Sequence, residues 1–112
     1  MHVVNEAALP FVGMSREFLG KQHGGTGISF FLVASDPGRG PRLHKHNYDE
    51  VVYVIEGRSI WTIGDQVREA CAGDILIVKA GEPHKFVDSG DGPLRQIDIH
   101  LNPEFEAEWL EE

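Results

Sequence analysis

Gly38-Arg-Gly-Pro-Arg-Leu-His44-Lys-His46-Asn-Tyr-Asp-Glu50-Val-Val-Tyr-Val-Ile-Glu-Gly57 is the stretch whose reading decides the fold. His44 and His46 are two residues apart, so on an extended strand both imidazoles leave the same face. Glu50 shares their parity, but four strand residues span about 13 Å, too far for a common metal with ligand bonds near 2.1 Å. The chain therefore has to bend between them, and Asn47-Tyr48-Asp49 holds the residue types that turn a backbone. A reversal there returns Glu50 beside the two imidazoles at the start of the next strand. Thirty-four residues further on, His84 follows Ala80-Gly-Glu-Pro83, a turn that starts another strand with the imidazole on the side that Phe86 faces. Three imidazoles and one carboxylate suit one divalent Fe, Mn, Ni, Co or Zn ion, and four ligands leave two octahedral positions open.

Around this stretch the sequence alternates short strands with turns. Ile28–Ala34, Glu50–Ile55, Ile60–Ile63, Ile75–Val78 and Leu94–Leu101 are rich in β-branched and aromatic residues. Gly and Pro punctuate the gaps at Asp36–Pro41, Glu56-Gly57, Ala72–Asp74, Ala80–Pro83 and Ser89–Pro93. Gly64-Asp65, between Ile63 and Gln66–Glu69, fits a two-residue hairpin with Gly supplying the positive φ of a type II′ turn. Strands spaced in this way imply an all-β sandwich or barrel. At the C-terminal end Asn102 can cap, Pro103 suits the first helical position, and Phe105 and Trp109 are four apart, which predicts one short helix over about 103–110. The acidic residues of that end, through Glu111 and Glu112, are expected on its solvated face. Residues 14–112 read as one barrel, and residues 1–13 as an arm that adds an edge strand or pairs with another subunit.

The two motifs resemble those of the cupin superfamily. Gly38, His44, His46, Glu50 and Gly57 fill every fixed position of the first cupin motif, G-x5-H-x-H-x3-E-x6-G. Gly73-x5-Lys79-x-Gly81-x2-His84-x3-Asp88 is similar to the second, with Lys79 where the family usually has Pro and Asp88 where it usually has Asn. The resemblance implies a single jelly-roll barrel, a double-stranded β-helix of small monocupin type, with His44, His46, Glu50 and His84 as ligands of a metal near its mouth. It also implies a function in one of two classes. The first is a metal-dependent enzyme, dioxygenase-, isomerase- or cyclase-like, acting on a small organic molecule, with Glu50 or His100 moving a proton. The second is a non-catalytic barrel that binds or senses a small ligand. A homodimer is expected from the family and from the need to cover sheet edges.

Composition narrows the partners. The 112 residues suffice for one core, and the longest apolar run, Ile28–Ala34, is far short of the roughly 20 residues of a membrane-spanning helix. Ten Lys+Arg against eighteen Asp+Glu give a net charge of −8, which repels phosphate backbones and anionic lipid. No nucleic acid and no membrane are therefore expected as partners. With no basic and apolar leader and a lone Cys71, the expected compartment is the cytoplasm. Cys71 itself reads as a small buried hydrophobe. Gln96, Asp98 and His100 share one strand face, either the solvent face or the cavity. Tyr48 is placed at the cavity mouth or on the surface, and Trp61 in the core or lining an apolar pocket. His2 and His23 are expected in solvent, as are the isolated cations Lys79 and Arg95.

Overall fold

A computed structural model describes residues 1–112. The alternation of side chains builds eleven strands: β1 (Phe11–Val12), β2 (Ser15–Leu19), β3 (Ser29–Ser35), β4 (His44–Lys45), β5 (Glu50–Glu56), β6 (Arg58–Ile63), β7 (Gln66–Cys71), β8 (Ile75–Val78), β9 (His84–Asp88), β10 (Leu94–His100) and β11 (Glu108–Trp109). They form two antiparallel sheets in the orders β1-β2-β3-β10-β5-β8 and β11-β4-β9-β6-β7, the two layers of the expected jelly roll. Five of these strands match the apolar runs of the sequence to within two residues at each end. β2 is an addition, paired along its length with β3 from Ser15↔Val33 to Leu19↔Ser29.

Two glycines show how the turns are made. Gly64 has φ +61 in the two-residue connection between β6 and β7, where Ile63 pairs with Gln66, as the hairpin reading requires. Gly57 has φ +90, and a Cβ there would lie 2.5 Å from the carbonyl oxygen of Pro93. The second fixed glycine of the first motif is thus set both by a left-handed backbone and by a neighbouring strand pressed against it.

The two inward faces divide the barrel along its length. One end is an apolar core of Val52, Val54, Trp61, Ala70, Val78, Phe86 and Leu94, with Trp61 stacked on Phe86 at 4.7 Å and its indole N–H donating to Ser59 Oγ at 3.0 Å. Toward the other end the same strands turn polar. β5 runs inward from Val54 and Val52 to Glu50, β9 from Phe86 to His84, and β10 from Leu94 through Gln96 and Asp98 to His100, all buried. A strand buried on one face holds this register firmly, because a one-residue slip would put every one of these side chains outside.

The C-terminal helix is not formed. Residues 101–107 are bends and irregular backbone, and β11 follows as a strand paired with β4 through Trp109↔His44 and Glu108↔Lys45. An isolated eight-residue helix is marginal in water, whereas the extended path puts Phe105 beside Phe31 and His100 and lays Trp109 against His44 at 5.0 Å. The helix-face reading of the acidic end falls with it: Glu111 instead accepts from the Leu43 N–H at 2.8 Å and pairs with Lys85. Cys71 is also corrected. It is exposed, because β7 turns Ala70 inward and Cys71 outward. His23 is half-buried rather than in solvent, stacked on Phe18 at 4.3 Å. Lys79 and Arg95 are exposed as expected.

Candidate metal centre

The bend between His46 and Glu50 is held by its own chemistry. Asp49 accepts from Lys79 Nζ at 2.6 Å and from the Ala80 N–H at 2.9 Å, tying the 47–49 turn to the turn that precedes His84. The Lys79 N–H in turn donates to Glu82 Oε1 at 2.9 Å. A proline at position 79 could not make that bond, so the departure at Lys79 replaces a rigid ring with two side-chain clamps. Asp88, the second departure, accepts from the Gly90 N–H at 3.0 Å.

These turns bring all the expected residues to one point. Across the β4–β9 ladder His44 stands opposite His84, and across β5–β10 Glu50 stands opposite His100. The ligand atoms of His44, His46 and His84 lie within 4.8 Å of one another, as do those of His46, Glu50 and His100. Nδ1 of His44, His46 and His84 lies 2.6, 2.6 and 2.9 Å from the carbonyl oxygens of Arg42, Glu106 and Glu82. A carbonyl only accepts, so each Nδ1 carries a proton and each Nε2 is aimed at the centre of the cluster, where it can offer its lone pair to a metal that displaces any proton held there.

The Nε2 atoms of His46 and His84 each stand 3.2 Å from Glu50 Oε1. For His46 that approach is not a hydrogen bond, and its buried Nε2 has no partner at all. Two ligands at right angles on a metal with bonds near 2.1 Å are about 3 Å apart. The spacing, the donor set and the orphaned nitrogen all fit a divalent ion held by three imidazoles and one carboxylate. His44, His46, Glu50 and His84 are the residues that would hold it. His100 sits behind them, its Nε2 3.8 Å from Glu50 Oε2.

Electrostatics follow burial. Removal from water pushes His44 and His100 down to about 4. Burial alone would raise Glu50, but the imidazoles of His46 and His84 outweigh it and hold the carboxyl below its usual range. Burial alone would lower His84, yet its hydrogen bond to Glu50 and the charge of that carboxylate hold it above its usual value. Asp98 is pushed well above the carboxylate range by burial, with the charge of Glu50 adding to it, and it accepts from Gln96 Nε2 at 2.8 Å.

Beside the cluster lies a cavity of about 260 Å³, lined on its apolar side by Met14, Phe31, Val33, Trp61, Phe86, Phe105 and Trp109. The stripe of Gln96, Asp98 and His100 is inward, which decides between its two sequence readings. Tyr48 is buried, with its hydroxyl 2.9 Å from His100 Nδ1, 3.1 Å from the Glu106 carbonyl and 3.3 Å from the Glu106 N–H. Its parity with Glu50 was the signal. Phe105, Glu106 and Trp109 were missed because a helical spacing masked a strand and its approach, and Glu17 because β2 carries no clean alternation.

A cupin domain model matches residues 31–100. An uncharacterised protein of Streptomyces coelicolor is 32% identical over 77 residues, covering 69% of this chain and 72% of that protein. An uncharacterised protein of Methanocaldococcus jannaschii is 35% identical over 54 residues, 47% of this chain and 43% of its own. An acireductone dioxygenase of Citrobacter koseri is 41% identical over 66 residues, 54% of this chain, which spans only 36% of that enzyme. Among solved structures, an oxalate decarboxylase of Bacillus subtilis superposes with a TM-score of 0.78 at 22% identity, covering 91% of this chain and 29% of that one. That of Lactobacillus farciminis gives 0.78 at 20% identity, with 91% and 33% covered. At these identities the solved structures speak for the fold. With the family model spanning more than half of its length and both motifs folded around one buried cluster, the chain belongs to the cupin family.

Proposed function

We propose that this protein is a divalent-metal-dependent enzyme acting on a small organic molecule held in the barrel cavity, with His44, His46, Glu50 and His84 as ligands. The observation that carries it is the locking of three Nδ1–H groups onto backbone carbonyls, which aims three Nε2 atoms and a buried carboxylate at one point beside an apolar cavity. A bound divalent ion supplies Lewis-acid polarisation of a substrate oxygen.

The protein's own part is to hold the substrate, exclude water and move a proton. His100 is the residue for that last step. It is kept neutral by burial, it faces the cluster, and its ring is held by the Tyr48 hydroxyl at 2.9 Å. In that state it can take a proton from carbon next to a polarised carbonyl, a step common to dioxygenase-, isomerase- and cyclase-like chemistry. The dioxygenase name of the Citrobacter koseri relative makes oxygen uptake the first activity to test. The oxalate of the solved neighbours' names is not carried over.

The test begins with protein purified without chelator. Mass spectrometry should find about one divalent ion per chain, and His84→Ala should reduce it at least tenfold. Oxygen uptake or substrate loss is then screened over diketones, flavonols and thiols with added Fe, Mn, Ni, Co or Zn. Protein that retains no metal and responds to none would overturn the metal reading. A metal-loaded barrel that binds a small molecule and never turns one over would overturn the enzyme.

A homodimer is part of the same reading. Its support is the outer side of the β5–β8 edge, where Tyr53, Ile55, Ile75 and Ile77 are exposed together, and the exposed Phe11 and Val12 of the arm at the opposite edge. Sedimentation at micromolar concentration should give twice 12.5 kDa, and a monomer there refutes it. No helix is long and apolar enough to cross a membrane. A cytoplasmic location, inferred from the lone cysteine and acidic composition, is tested by fractionation.

A further inference from the structure

The cavity carries a charge pattern that the metal cluster does not require. Its lining holds three carboxyl groups, Glu17, Glu50 and Asp98, the last held toward its neutral form by burial, and none of the ten Lys and Arg side chains lines it. The cations are engaged or turned away. Lys79 pairs with Asp49, Lys21 with Glu104, Lys85 with Glu111 and Arg58 with Glu69, Arg42 lies exposed over the Trp109 ring at 4.9 Å, and Arg95 points outward from β10. The rest of the wall is aromatic and aliphatic, led by Phe31, Trp61, Phe86, Phe105 and Trp109. An ionised group buried against such a wall would lose its hydration and gain no partner.

We infer that the substrate is an uncharged, mainly apolar molecule of less than drug size, with one oxygen-bearing end toward the histidine cluster and no carboxylate or phosphate on the part that fills the cavity. This rests on the preceding reading for the end that meets the cluster, and on the wall alone for the remainder. The volume of about 260 Å³ lies below the usual range for drug-sized ligands and admits a single ring or a short branched chain. Glu17 sits half-buried on β2 opposite Phe31, so a carboxylate on the ligand would meet a carboxyl group there and no cation. Glu17 is therefore the residue that sets the sign of charge the cavity refuses.

A near-isosteric pair tests the inference: 4-methylcatechol and 3,4-dihydroxybenzoate share one chelating end and differ at the other by a methyl or a carboxylate. Quenching of tryptophan fluorescence on zinc-loaded protein should show the methyl compound binding at least tenfold tighter. Glu17→Lys should shrink that ratio at least threefold by giving the carboxylate a partner. Should that variant fail to fold, Glu17→Gln should shrink it about twofold. Equal affinities, preference for the carboxylate, a ratio unmoved by either folded variant, or no binding of either compound at millimolar concentration would each overturn the inference. If the protein takes up no zinc, the metal reading falls on its own, and the same ratio on the metal-free protein still decides the substrate class.

Discussion

Acidification of chelator-treated protein is the perturbation that probes the cluster most directly. His44 and His100, 6% and 2% exposed, are held at about 4 by burial against 6.5 for an unperturbed imidazole. Between those values the unfolded chain binds more protons than the folded one, so stability falls as pH falls. From pH 6.5 to 5.5 the loss is about 1 kcal/mol for each imidazole and about 2 kcal/mol for the two, a drop of roughly thirtyfold in the folding equilibrium constant. His84, held above 6.5, acts in the other direction and in another window. Its contribution is full below 6.5 and is lost as pH rises through its folded value. Glu50, held below the carboxylate range, contributes fully above 4.5 and loses that contribution only in stronger acid. Asp98, held well above 3.8 by burial, opposes the two imidazoles, since its contribution is full below 3.8 and is lost as pH rises toward its folded value; the drop is therefore read in an Asp98→Asn background. Urea unfolding at the two pH values, read at constant m, measures the drop, and His100→Phe should halve it. A change below about 0.5 kcal/mol, or an undiminished drop in that variant, would refute the assignment of buried neutral imidazoles.

Three further outcomes follow from single contacts. Gly57→Ala should cost about 2 kcal/mol or more in chemical denaturation, because a Cβ at φ +90 is strained and would sit 2.5 Å from the Pro93 carbonyl oxygen. Leu94→Ala, at a fully buried position in the apolar core, should cost about 2–5 kcal/mol in the same assay while leaving bound metal unchanged. Tyr48→Phe removes the hydroxyl that meets His100 Nδ1 and the Glu106 N–H. It should cost about 1–3 kcal/mol and lower turnover without changing metal content, and loss of metal in that variant would mean Tyr48 supports the ligands instead.

Most of the site was legible because it depends on rules that act over a few residues. Parity puts His44 with His46 and, after a turn, returns Glu50. Gly81-Glu-Pro83 restarts a strand at His84. The same period of two put Gln96, Asp98 and His100 on one face, but parity alone is silent on which face looks inward. That was decided by β10 lying between β3 and β5 in the larger sheet, with Leu94 fully buried at one end of the face and His100 at the other. Cys71 shows the same limit, since alternation along β7 fixes only that Ala70 and Cys71 point opposite ways. What local rules could not supply was the cavity wall, which draws on β2, β3, β6, β9 and the chain's last strand.

The C-terminal segment is where local and tertiary preferences conflict, and the site explains which one wins. As a helix, residues 103–110 would satisfy a few backbone groups and present Phe105 and Trp109 on one face. As extended chain they satisfy more. The Glu106 carbonyl accepts from the His46 Nδ1–H, the Leu110 N–H donates to the Leu43 carbonyl, and Trp109 lies against His44 while Arg42 lies over Trp109. These contacts fall on residues 42–46, the β4 strand and its flanks, and β4 itself is only two residues long and pairs with β9 through His44↔His84. A ligand strand that short cannot hold two imidazoles in register by itself. The tail completes it from the other side, so two of the proposed metal ligands are oriented in part by residues 60 or more positions away.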